Sequence, residues 1–389
     1  MDMDGLYANV GIAKCPEYTV ECARGALTEA IDAAGGLDWV KVGMKIAIKP
    51  NLVTFKHPEA AATTHPLLVG ELCRMLADRG AKVIIGDSPG GVYSNAILSA
   101  VYSASGMNTL ENESVTLNRN TDTLDADFPD AKCAKSFPYT AYLDEADAII
   151  NFSKLKTHGM MGFSGAVKNM FGTVPGTRKP EFHYRYPNVC DFANVLVDLN
   201  EFFKPTLCIM DAVWGMEGNG PTAGTPRPIG CLLAGKNPHT LDMICAEIIG
   251  LIPACIPTIL AAQQMGLAPE NPDEIATNQP WEPFCIPDFK NIRNADRLLK
   301  QNGNEALWGK AVNRLFAALI ASRPGVNKKE CIGCGECQRI CPAGVITMTN
   351  GKPVIDRRKC IKCYCCQEFC PVGAMKVMRP PAAKLMEKL

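Results

Sequence analysis

The chain has 389 residues, a formal net charge of zero, 47% hydrophobic residues and 21% charged residues. This length suits two or three domains with a full core, and the composition excludes intrinsic disorder and an overall nucleic-acid-binding surface. No apolar run approaches the length of a membrane span, and the first residues do not show the pattern of a secretory signal, so we expect no membrane span and no secretion.

Short apolar runs alternate with helical patterns from about residue 5 to about residue 290. This alternation predicts an α/β domain with a mostly parallel sheet, which we place at residues 5–300. The predicted strands are 44–48, 82–85, 148–152, 206–210 and 229–234. The predicted helices are 20–34, 66–79, 189–203 and 238–249.

A polar, loop-like string follows each predicted strand. These strings are 49–51, 86–91, 153–158, Asp211 and 235–237. Ligands of open α/β sheets bind beyond the carboxyl ends of the strands, so the strings are expected to converge on one cleft.

Basic side chains dominate this predicted cleft. We predict Lys154 and Lys168 as anion clamps and His158 as a proton donor suited to neutral pH. Further ligand-binding candidates in the same strings are Lys49, Asn51, Asp87, Ser88, Lys156 and Asn169. A cationic cleft floored by backbone amides would attract a small carboxylate or phosphate. The alternative for each lysine is a solvated surface charge.

The order of these motifs is similar to that of a known family. The motifs are Lys49-Pro50-Asn51-Leu52-Val53, Thr63-Thr64-His65-Pro66, Gly86-Asp87-Ser88-Pro89-Gly90, Ser153-Lys154-Leu155-Lys156-Thr157-His158 and Gly165-Ala166-Val167-Lys168-Asn169. Over about residues 8 to 290 the chain resembles the domain-of-unknown-function 362 family. The resemblance supplies no agreed substrate.

Other motifs in this domain are weaker. The string 86–91 could cradle a phosphate, but it matches neither the P-loop nor the dinucleotide fingerprint, so a strand-to-helix turn is the alternative. Asp211, Asp242 and the acidic loop 217–221 are candidate acids that are more often structural. The basic and aromatic segment 178–187 is expected to be a loop over the cleft rather than a nucleic-acid-binding patch.

A linker precedes the carboxy-terminal region. Seven prolines between Pro253 and Pro287 exclude one long helix there. Apolar residues then recur every four positions from Leu307 to Leu319, which predicts an amphipathic linker helix at 301–324. We expect it to pack between domains, the alternative being a position on a membrane surface. Residues 323–325 are expected to form a hinge.

Two copies of one cysteine string occupy the carboxy-terminal region, which we define as a domain at residues 325–380. The copies are Cys331-x2-Cys334-x2-Cys337-x3-Cys341-Pro342 and Cys360-x2-Cys363-x2-Cys366-x3-Cys370-Pro371. This spacing is that of bacterial two-cluster ferredoxins, because three thiolates on a tight loop can bind three irons of a cubane but cannot reach the fourth. It predicts a small α+β ferredoxin-type domain with two [4Fe–4S] clusters. Members of the resembled family often carry such a domain.

The ferredoxin resemblance also implies how the ligands are shared. In such ferredoxins the Cys-Pro cysteine of each half ligates the cluster of the other half. Carried over, one cluster takes Cys331, Cys334, Cys337 and Cys370, and the other takes Cys360, Cys363, Cys366 and Cys341. Zinc is the alternative metal, since Cys-x2-Cys pairs also bind it, but it has no use for the third cysteine and the Cys-Pro.

Some cysteines and charges fall outside this pattern. Cys365 does not fit the spacing and is interpreted as a bystander, with a spare ligand or an oxidation-sensitive thiol as the alternative. Ten further cysteines are scattered from Cys15 to Cys285 at no regular interval, which favours free thiols and a cytoplasmic location over a disulfide framework. From Asn327 onward, 12 Lys and Arg face 5 Asp and Glu. This excess either compensates the anionic clusters or forms a docking face for an acidic redox partner.

The sequence therefore favours an iron–sulfur oxidoreductase that transfers electrons to or from a small anionic substrate or cofactor in the cleft. One alternative is a non-enzymatic electron carrier or adaptor that docks a larger redox complex. Another is a redox-sensing ligand-binding protein. A redox partner protein is expected in the first two cases. No flavin or nicotinamide fingerprint is visible, although a further organic cofactor can bind without one.

Overall fold

A computed structural model describes residues 9–292 and 322–380. Within these residues the largest sheet has eight strands. They are β1 (Val10–Lys14), β2 (Lys45–Pro50), β3 (Lys82–Ile85), β4 (Val115–Leu117), β7 (Ala148–His158), β8 (Gly162–Ser164), β9 (Leu207–Glu217) and β10 (Thr225–Gly235). Strands β5 (Thr123–Asp127) and β6 (Ser136–Thr140) form a separate antiparallel hairpin.

The strand order of the large sheet is β1-β10-β9-β7-β2-β3-β4, with β8 paired to β7. Strands β9, β7, β2, β3 and β4 run parallel, whereas β10, β1 and β8 are antiparallel to their neighbours. The carboxyl ends of the central strands therefore meet at one edge, which we call the carboxyl edge.

Helices cover both faces of the sheet. They are α1 (Val20–Ala33), α2 (Pro66–Ala77), α3 (Asn95–Ser105), α4 (Ala166–Asn169), α5 (Lys179–Arg185), α6 (Val189–Phe203), α7 (Pro238–Ile248) and α8 (Pro257–Gln264). Neighbouring residues of one strand enter opposite cores: Ile209 packs with α1 to α3, and Met210 packs with α6 to α8. Burial on both faces is why the parallel strands read as continuous apolar runs.

Local signals explain where the helices begin. The side chains of Thr19, Asn188 and Asn237 each accept hydrogen bonds from backbone amides in the first turn of α1, α6 and α7. Such caps satisfy amides that have no partner within the helix.

The carboxy-terminal region is small and rich in strands. Strand β11 (Arg323–Val326) pairs with β14 (Met375–Met378), and β12 (Ile346–Thr349) pairs with β13 (Lys352–Ile355). Two short helices, α9 (Glu336–Arg339) and α10 (Cys365–Glu368), occupy equivalent places in the two cysteine strings. The chain thus has a mostly parallel α/β domain followed by a small domain, and the predicted fold class is confirmed.

The structure corrects several local predictions. Residues 153–158, predicted as a loop, continue β7, and Asp211 lies within β9 rather than after it. Residues 323–325, predicted as a hinge, lie in β11. Of the predicted linker helix at 301–324, residues 301–321 fall outside the described residues. Among the helices of the described ranges, none combines the length and apolarity needed to cross a membrane.

Candidate functional site

A polar pocket lies at the carboxyl edge, where the carboxy-terminal region contacts the α/β domain. Its volume is about 590 Å³, including space open to solvent, and it is lined by side chains from both. Its charged side chains are Lys49, Lys156, Lys168, Lys179, Asp87 and Glu368. Formally, four cations face two anions, so we call it the lysine pocket.

The first lysine is neutralised by a buried ion pair. The Nζ atom of Lys49 lies 2.8 Å from Oδ1 of Asp87 and donates to Oδ1 of Asn169 at 3.2 Å. Asp87 also accepts hydrogen bonds from the amides of Leu52 at 2.8 Å and Ser88 at 2.9 Å. Each charge is thus satisfied within the protein, and this pair forms a fixed floor of the pocket.

Among residues 9–292 and 322–380, no carboxylate lies within ion-pair distance of Lys156. Lys156 is 1% exposed, and its Nζ donates to Oδ1 of Asn51 at 2.8 Å and to the carbonyl oxygen of Ala62 at 2.6 Å. Burial, reinforced by the charge of Lys168, lowers the pKa of Lys156 to about 7. A buried ammonium held only by neutral acceptors favours an incoming anion.

The other two pocket lysines resemble Lys156 in this respect. Lys179 donates to the carbonyl oxygens of Ser88 at 2.6 Å and Val174 at 2.7 Å, and burial lowers its pKa to about 7. Lys168 is half-buried with its Nζ 5.8 Å from the ring centroid of Phe171. No carboxylate of the described ranges lies within ion-pair distance of either. The pocket therefore carries uncompensated positive charge.

His158 lies at the end of β7, next to the pocket. Its Nδ1 accepts from the amides of Met160 at 3.1 Å and Met161 at 3.0 Å, which places the ring proton on Nε2. Nε2 points toward Oε2 of Glu368 at 3.8 Å. Burial lowers the pKa of His158 to about 4. The ring is thus neutral at pH 7, which corrects the prediction of a group that titrates near neutral pH.

Glu368 is the anionic wall of the pocket. Burial alone would raise the pKa of Glu368, but the charge of Lys168 and the polar Nε2–H of His158 nearby hold it well below its usual range. Glu368 is therefore ionised. Its backbone carbonyl accepts from the hydroxyl of Thr222 at 2.8 Å, which ties α10 to the α/β domain.

Lys154 lies outside the lysine pocket. Its Nζ donates to Oδ2 of Asp211 at 2.9 Å and to the hydroxyl of Tyr18 at 2.8 Å. Asp211 also accepts from Tyr18 at 3.0 Å and from the amide of His65 at 3.0 Å. The charge of Lys154 is already paired, which corrects its prediction as an anion clamp.

Replacement of Lys154 by methionine is therefore expected to affect stability rather than ligand binding. The change leaves the Asp211 carboxylate buried without its cation, at a cost of about 3 to 5 kcal/mol in free energy of unfolding. Urea unfolding measures this loss. The double variant Lys154→Met/Asp211→Asn removes both charges and should recover part of it; equal stability of Lys154→Met and the native chain would contradict the structural role.

Two other candidates also have structural positions. Asp242 accepts from the amides of Ala166 at 2.6 Å and Val167 at 3.0 Å at the start of α4, and burial raises its pKa to about 7. In the loop 217–221, Asn219 and Gly220 accept hydrogen bonds from Gln367 at distances from 2.7 to 3.1 Å. The loop holds the carboxy-terminal region against the α/β domain.

The segment 178–187 contributes directly to the pocket. It contains helix α5, so the prediction that this segment is a loop was wrong. Its position over the cleft is as expected, because Lys179 and His183 line the lysine pocket. Burial lowers the pKa of His183 to about 3, and its ring stacks on Phe192 with centroids 4.2 Å apart.

The eight cysteines of the two strings line two cavities. One encloses about 320 Å³ and the other about 310 Å³. The first is lined by Cys331, Cys334, Cys337 and Cys370, and the second by Cys341, Cys360, Cys363 and Cys366. These are the two groups that the ferredoxin resemblance implies. In residues 9–292 and 322–380, no three His, Cys, Asp or Glu side chains form a site for a single metal ion. Four sulfurs around an open space fit a cluster.

Helix α10 connects one of these cavities with the lysine pocket. Cys366 lines the second cavity, whereas Cys365 and Glu368 of the same helix line the pocket. Cys365 is 1% exposed, so its thiol is enclosed between the two sites. The sequence singled out Cys365 without predicting this position.

Tyr364, just before α10, anchors the region to the α/β domain. It is 4% exposed and belongs to the core formed by α6 to α8. A Cβ atom added at Gly159 would lie 3.0 Å from the Tyr364 ring, so only glycine leaves room for this contact. The backbone of Tyr364 has a φ of 64°, a left-handed conformation that disfavours non-glycine residues. Packing of the ring compensates for this strain.

The structure thus brings most of the predicted ligand-binding residues together. Those that line the pocket are Lys49, Asn51, Asp87, Ser88, Lys156, Lys168 and Asn169. Lys154 and His158 lie outside the lining. Sequence reasoning missed the contributions of Lys179, His183, Cys365, Glu368 and Phe369. The basic segment 178–187 was a usable signal for Lys179 and His183. No local pattern indicated that Cys365, Glu368 and Phe369 contribute to the pocket.

The model of the family "Domain of unknown function (DUF362)" matches residues 46–247, which is more than half of the chain. The chain belongs to the DUF362 family. A curated relative, the thylakoid-associated protein sll1697 of Synechocystis sp., is 31% identical over 272 residues, which cover 68% of this chain and 81% of the relative.

A second family model, for a 4Fe-4S dicluster domain, matches residues 330–374 of this DUF362 chain. The match includes the eight string cysteines, so this is an iron–sulfur electron-transfer protein with a ferredoxin-like domain. Among solved structures, the lactate racemase apoprotein from Thermoanaerobacterium thermosaccharolyticum is similar at 14% sequence identity and a TM-score of 0.35. That similarity covers 60% of this chain and 56% of the racemase.

Proposed function

We propose that this DUF362 protein is an oxidoreductase that binds two [4Fe–4S] clusters and exchanges electrons with a small anionic substrate or cofactor in the lysine pocket. The observation that carries the proposal is helix α10. Its Cys366 faces the second cysteine cavity while its Cys365 and Glu368 face the pocket. A ligand in the pocket would therefore lie one short helix away from a cluster.

The two cavities support the ligand sets. Cys331, Cys334, Cys337 and Cys370 would hold one cluster, and Cys341, Cys360, Cys363 and Cys366 the other. A bound [4Fe–4S] cluster supplies one-electron transfer at a potential tuned by its surroundings. Cys365, on the pocket side of α10, is 1% exposed, so its side chain limits the access of bulk water between the two sites.

The pocket charges support an anionic ligand. The Lys49–Asp87 pair is internally satisfied, whereas Lys156, Lys168 and Lys179 have no paired carboxylate among the described residues. We assign Lys168 as the main anion contact, because it is the half-buried one and its Nζ makes no hydrogen bond within the described ranges. The ionised Glu368, beside His158, would repel the ligand's negative charge toward the lysine side of the pocket.

A spectroscopic titration tests this function. Anaerobic protein is reduced with dithionite, and the cluster electron paramagnetic resonance signal is recorded with inorganic phosphate, acetate or pyruvate. We expect at least one anion to shift the signal. Lys168→Met should weaken the binding of that anion at least about tenfold, because it removes one charge-assisted hydrogen bond. Lys168→Arg should retain most of the affinity.

Two results would overturn the proposal. If none of the anions changes the signal, the electron carrier or adaptor becomes the better interpretation. If Lys168→Met binds as well as the native protein, the pocket is not the anion site. Mass spectrometry of small molecules extracted from the same preparation would reveal a further organic cofactor.

Anion affinity is also expected to depend on pH. The pKa values of Lys156 and Lys179 are both about 7, so each is cationic below pH 7 and loses its charge as the pH rises. Since the anion binds the charged form, its dissociation constant should increase as the pH passes upward through 7. Titrations at constant ionic strength measure this, and Lys156→Gln should show a weaker dependence. A dissociation constant that falls over the same range would contradict the assignment.

Domain limits and compartment complete the proposal. We keep the α/β domain at residues 5–300 but begin the ferredoxin-type domain at Arg323, because β11 pairs with β14 inside it. Oxygen-sensitive clusters, and a sequence rich in cysteines at no regular spacing, favour a reducing compartment such as the cytoplasm.

A further inference from the structure

The internal duplication of the carboxy-terminal region provides a comparison between two equivalent loops. The first loop, residues 331–337, and the second loop, residues 360–366, have the same cysteine spacing. Both have a left-handed residue before their short helix, Gly335 with φ 78° and Tyr364 with φ 64°. The two loops thus share a backbone design and differ in what covers them.

The second loop is covered by the α/β domain. Tyr364 is 4% exposed in that domain's core, and Cys363 is 8% exposed. The lysine pocket lies on the same side, next to Cys365. This side of the ferredoxin-type domain is occupied by the rest of the chain and cannot receive another protein.

The first loop faces solvent. Cys334, the counterpart of Cys363, is exposed, and Ile332 is 65% exposed. Val372, on the wall of the same cysteine cavity, is 44% exposed. Apolar side chains around an exposed cluster ligand provide the kind of small desolvated contact that redox complexes use.

Positive charge borders this exposed loop. Lys328 and Lys329, in the turn before Cys331, are exposed, and no carboxylate of residues 9–292 and 322–380 pairs with them. The neighbouring Glu330 is already paired with Lys376 at 2.8 Å. The face therefore presents free cations next to an apolar centre.

We propose that the first loop, with Ile332 at its centre and Lys328 and Lys329 at its rim, is the docking site for a protein electron carrier with an acidic surface. This inference rests on the proposed function, since it supplies the external partner for the electrons exchanged at the pocket. One electron passes in each encounter. The carrier would lose one electron, and Cys331, Cys334, Cys337 and Cys370 would hold the cluster that accepts it, with no bond made or broken.

Binding and electron transfer with carriers of opposite charge test the proposal. The probes are an acidic plant-type [2Fe–2S] ferredoxin and a basic cytochrome c. We compare the native protein with Lys328→Glu/Lys329→Glu and with the control Lys45→Glu/Lys82→Glu. The control makes the same charge change at two exposed lysines where β2 and β3 begin, at the edge opposite the pocket. Unchanged visible absorbance shows that each variant retains its clusters.

The expected result is ferredoxin binding that weakens by about tenfold or more from low salt to about 0.15 M ionic strength. Lys328→Glu/Lys329→Glu should reduce both the affinity and the electron-transfer rate constant by about tenfold or more at low salt, and the control should match the native protein. Cytochrome c should bind more weakly than ferredoxin.

Several outcomes would overturn the docking site. They are no ferredoxin binding, equal effects of the two double variants, tighter binding of cytochrome c, or self-association of this chain through the same face. Each leaves the phosphate, acetate and pyruvate titration unaffected, so failure of the docking site is distinguishable from failure of the proposed function.

Discussion

Replacement of Cys366 by alanine is expected to remove about half of the iron, from about eight to about four atoms per chain, whereas Cys365→Ala should retain nearly all of it. The two residues are neighbours in α10, but only Cys366 lines a cysteine cavity. Cys365 lines the lysine pocket instead. Iron and acid-labile sulfide analysis of anaerobically prepared protein measures the difference, which is large because loss of one thiolate destabilises a whole cluster.

This adjacent pair is a matched test, since both variants shorten a buried side chain in the same helix by one sulfur atom. Zinc instead of iron in the native protein would contradict the cluster assignment. Equal iron loss in both variants would show that Cys365 also contributes to cluster binding, as in the alternative of a spare ligand. Cys365→Ala should instead change the anion-induced shift of the cluster signal, because removal of the sulfur enlarges the pocket.

Replacement of Tyr364 by glycine is expected to release the carboxy-terminal region from the α/β domain. Glycine relieves the left-handed backbone strain of about 1 to 2 kcal/mol, but loss of the buried ring costs about 3 to 5 kcal/mol. The packing term is larger, so the contact weakens. Hydrogen exchange of residues 157–161 and 217–221, which contact this region, should rise. The anion-induced change in the cluster signal should disappear.

The first loop shows that this substitution is compatible with a cysteine string, because Gly335 occupies the equivalent position. Tyr364→Gly should therefore retain its iron. Tyr364→Phe, which keeps the ring, serves as the control and should dock normally. If Tyr364→Gly shows native exchange rates together with a native anion response, the tyrosine is not the anchor.

Local signals account for the elements that the sequence predicted well. Helix α6 agrees with the prediction at both ends, because Asn188 caps it and its apolar spacing is regular. An Asn-Gly pair favours a tight hairpin turn, and Asn350–Gly351 joins β12 and β13 with φ values of 50° and 69°. In both cases the deciding interactions lie within a few residues.

Predictions failed where partners are distant in the chain. Lys154 and Lys156 make the end of β7 look like a loop, yet both are buried, because Asp211 and Asn51 supply partners from other strands or loops. The pairing of β7 with β9 is irregular between the two lysines, and Lys154 pairs with Asp211 outside the pocket lining. Glu368 reaches the pocket through docking of a separate domain, which no local pattern encodes.

The double-sided helix α10 has a thermodynamic consequence. An anion beside Cys365 and Glu368 would stand close to the sulfur of Cys366, so its negative charge would make addition of an electron to the adjacent cluster less favourable. Because linkage is reciprocal, the reduced protein would bind the same anion more weakly by the same free energy. The oxidation state of the cluster and the occupancy of the pocket would then be thermodynamically coupled. Reduction of the cluster would promote release of a bound anion.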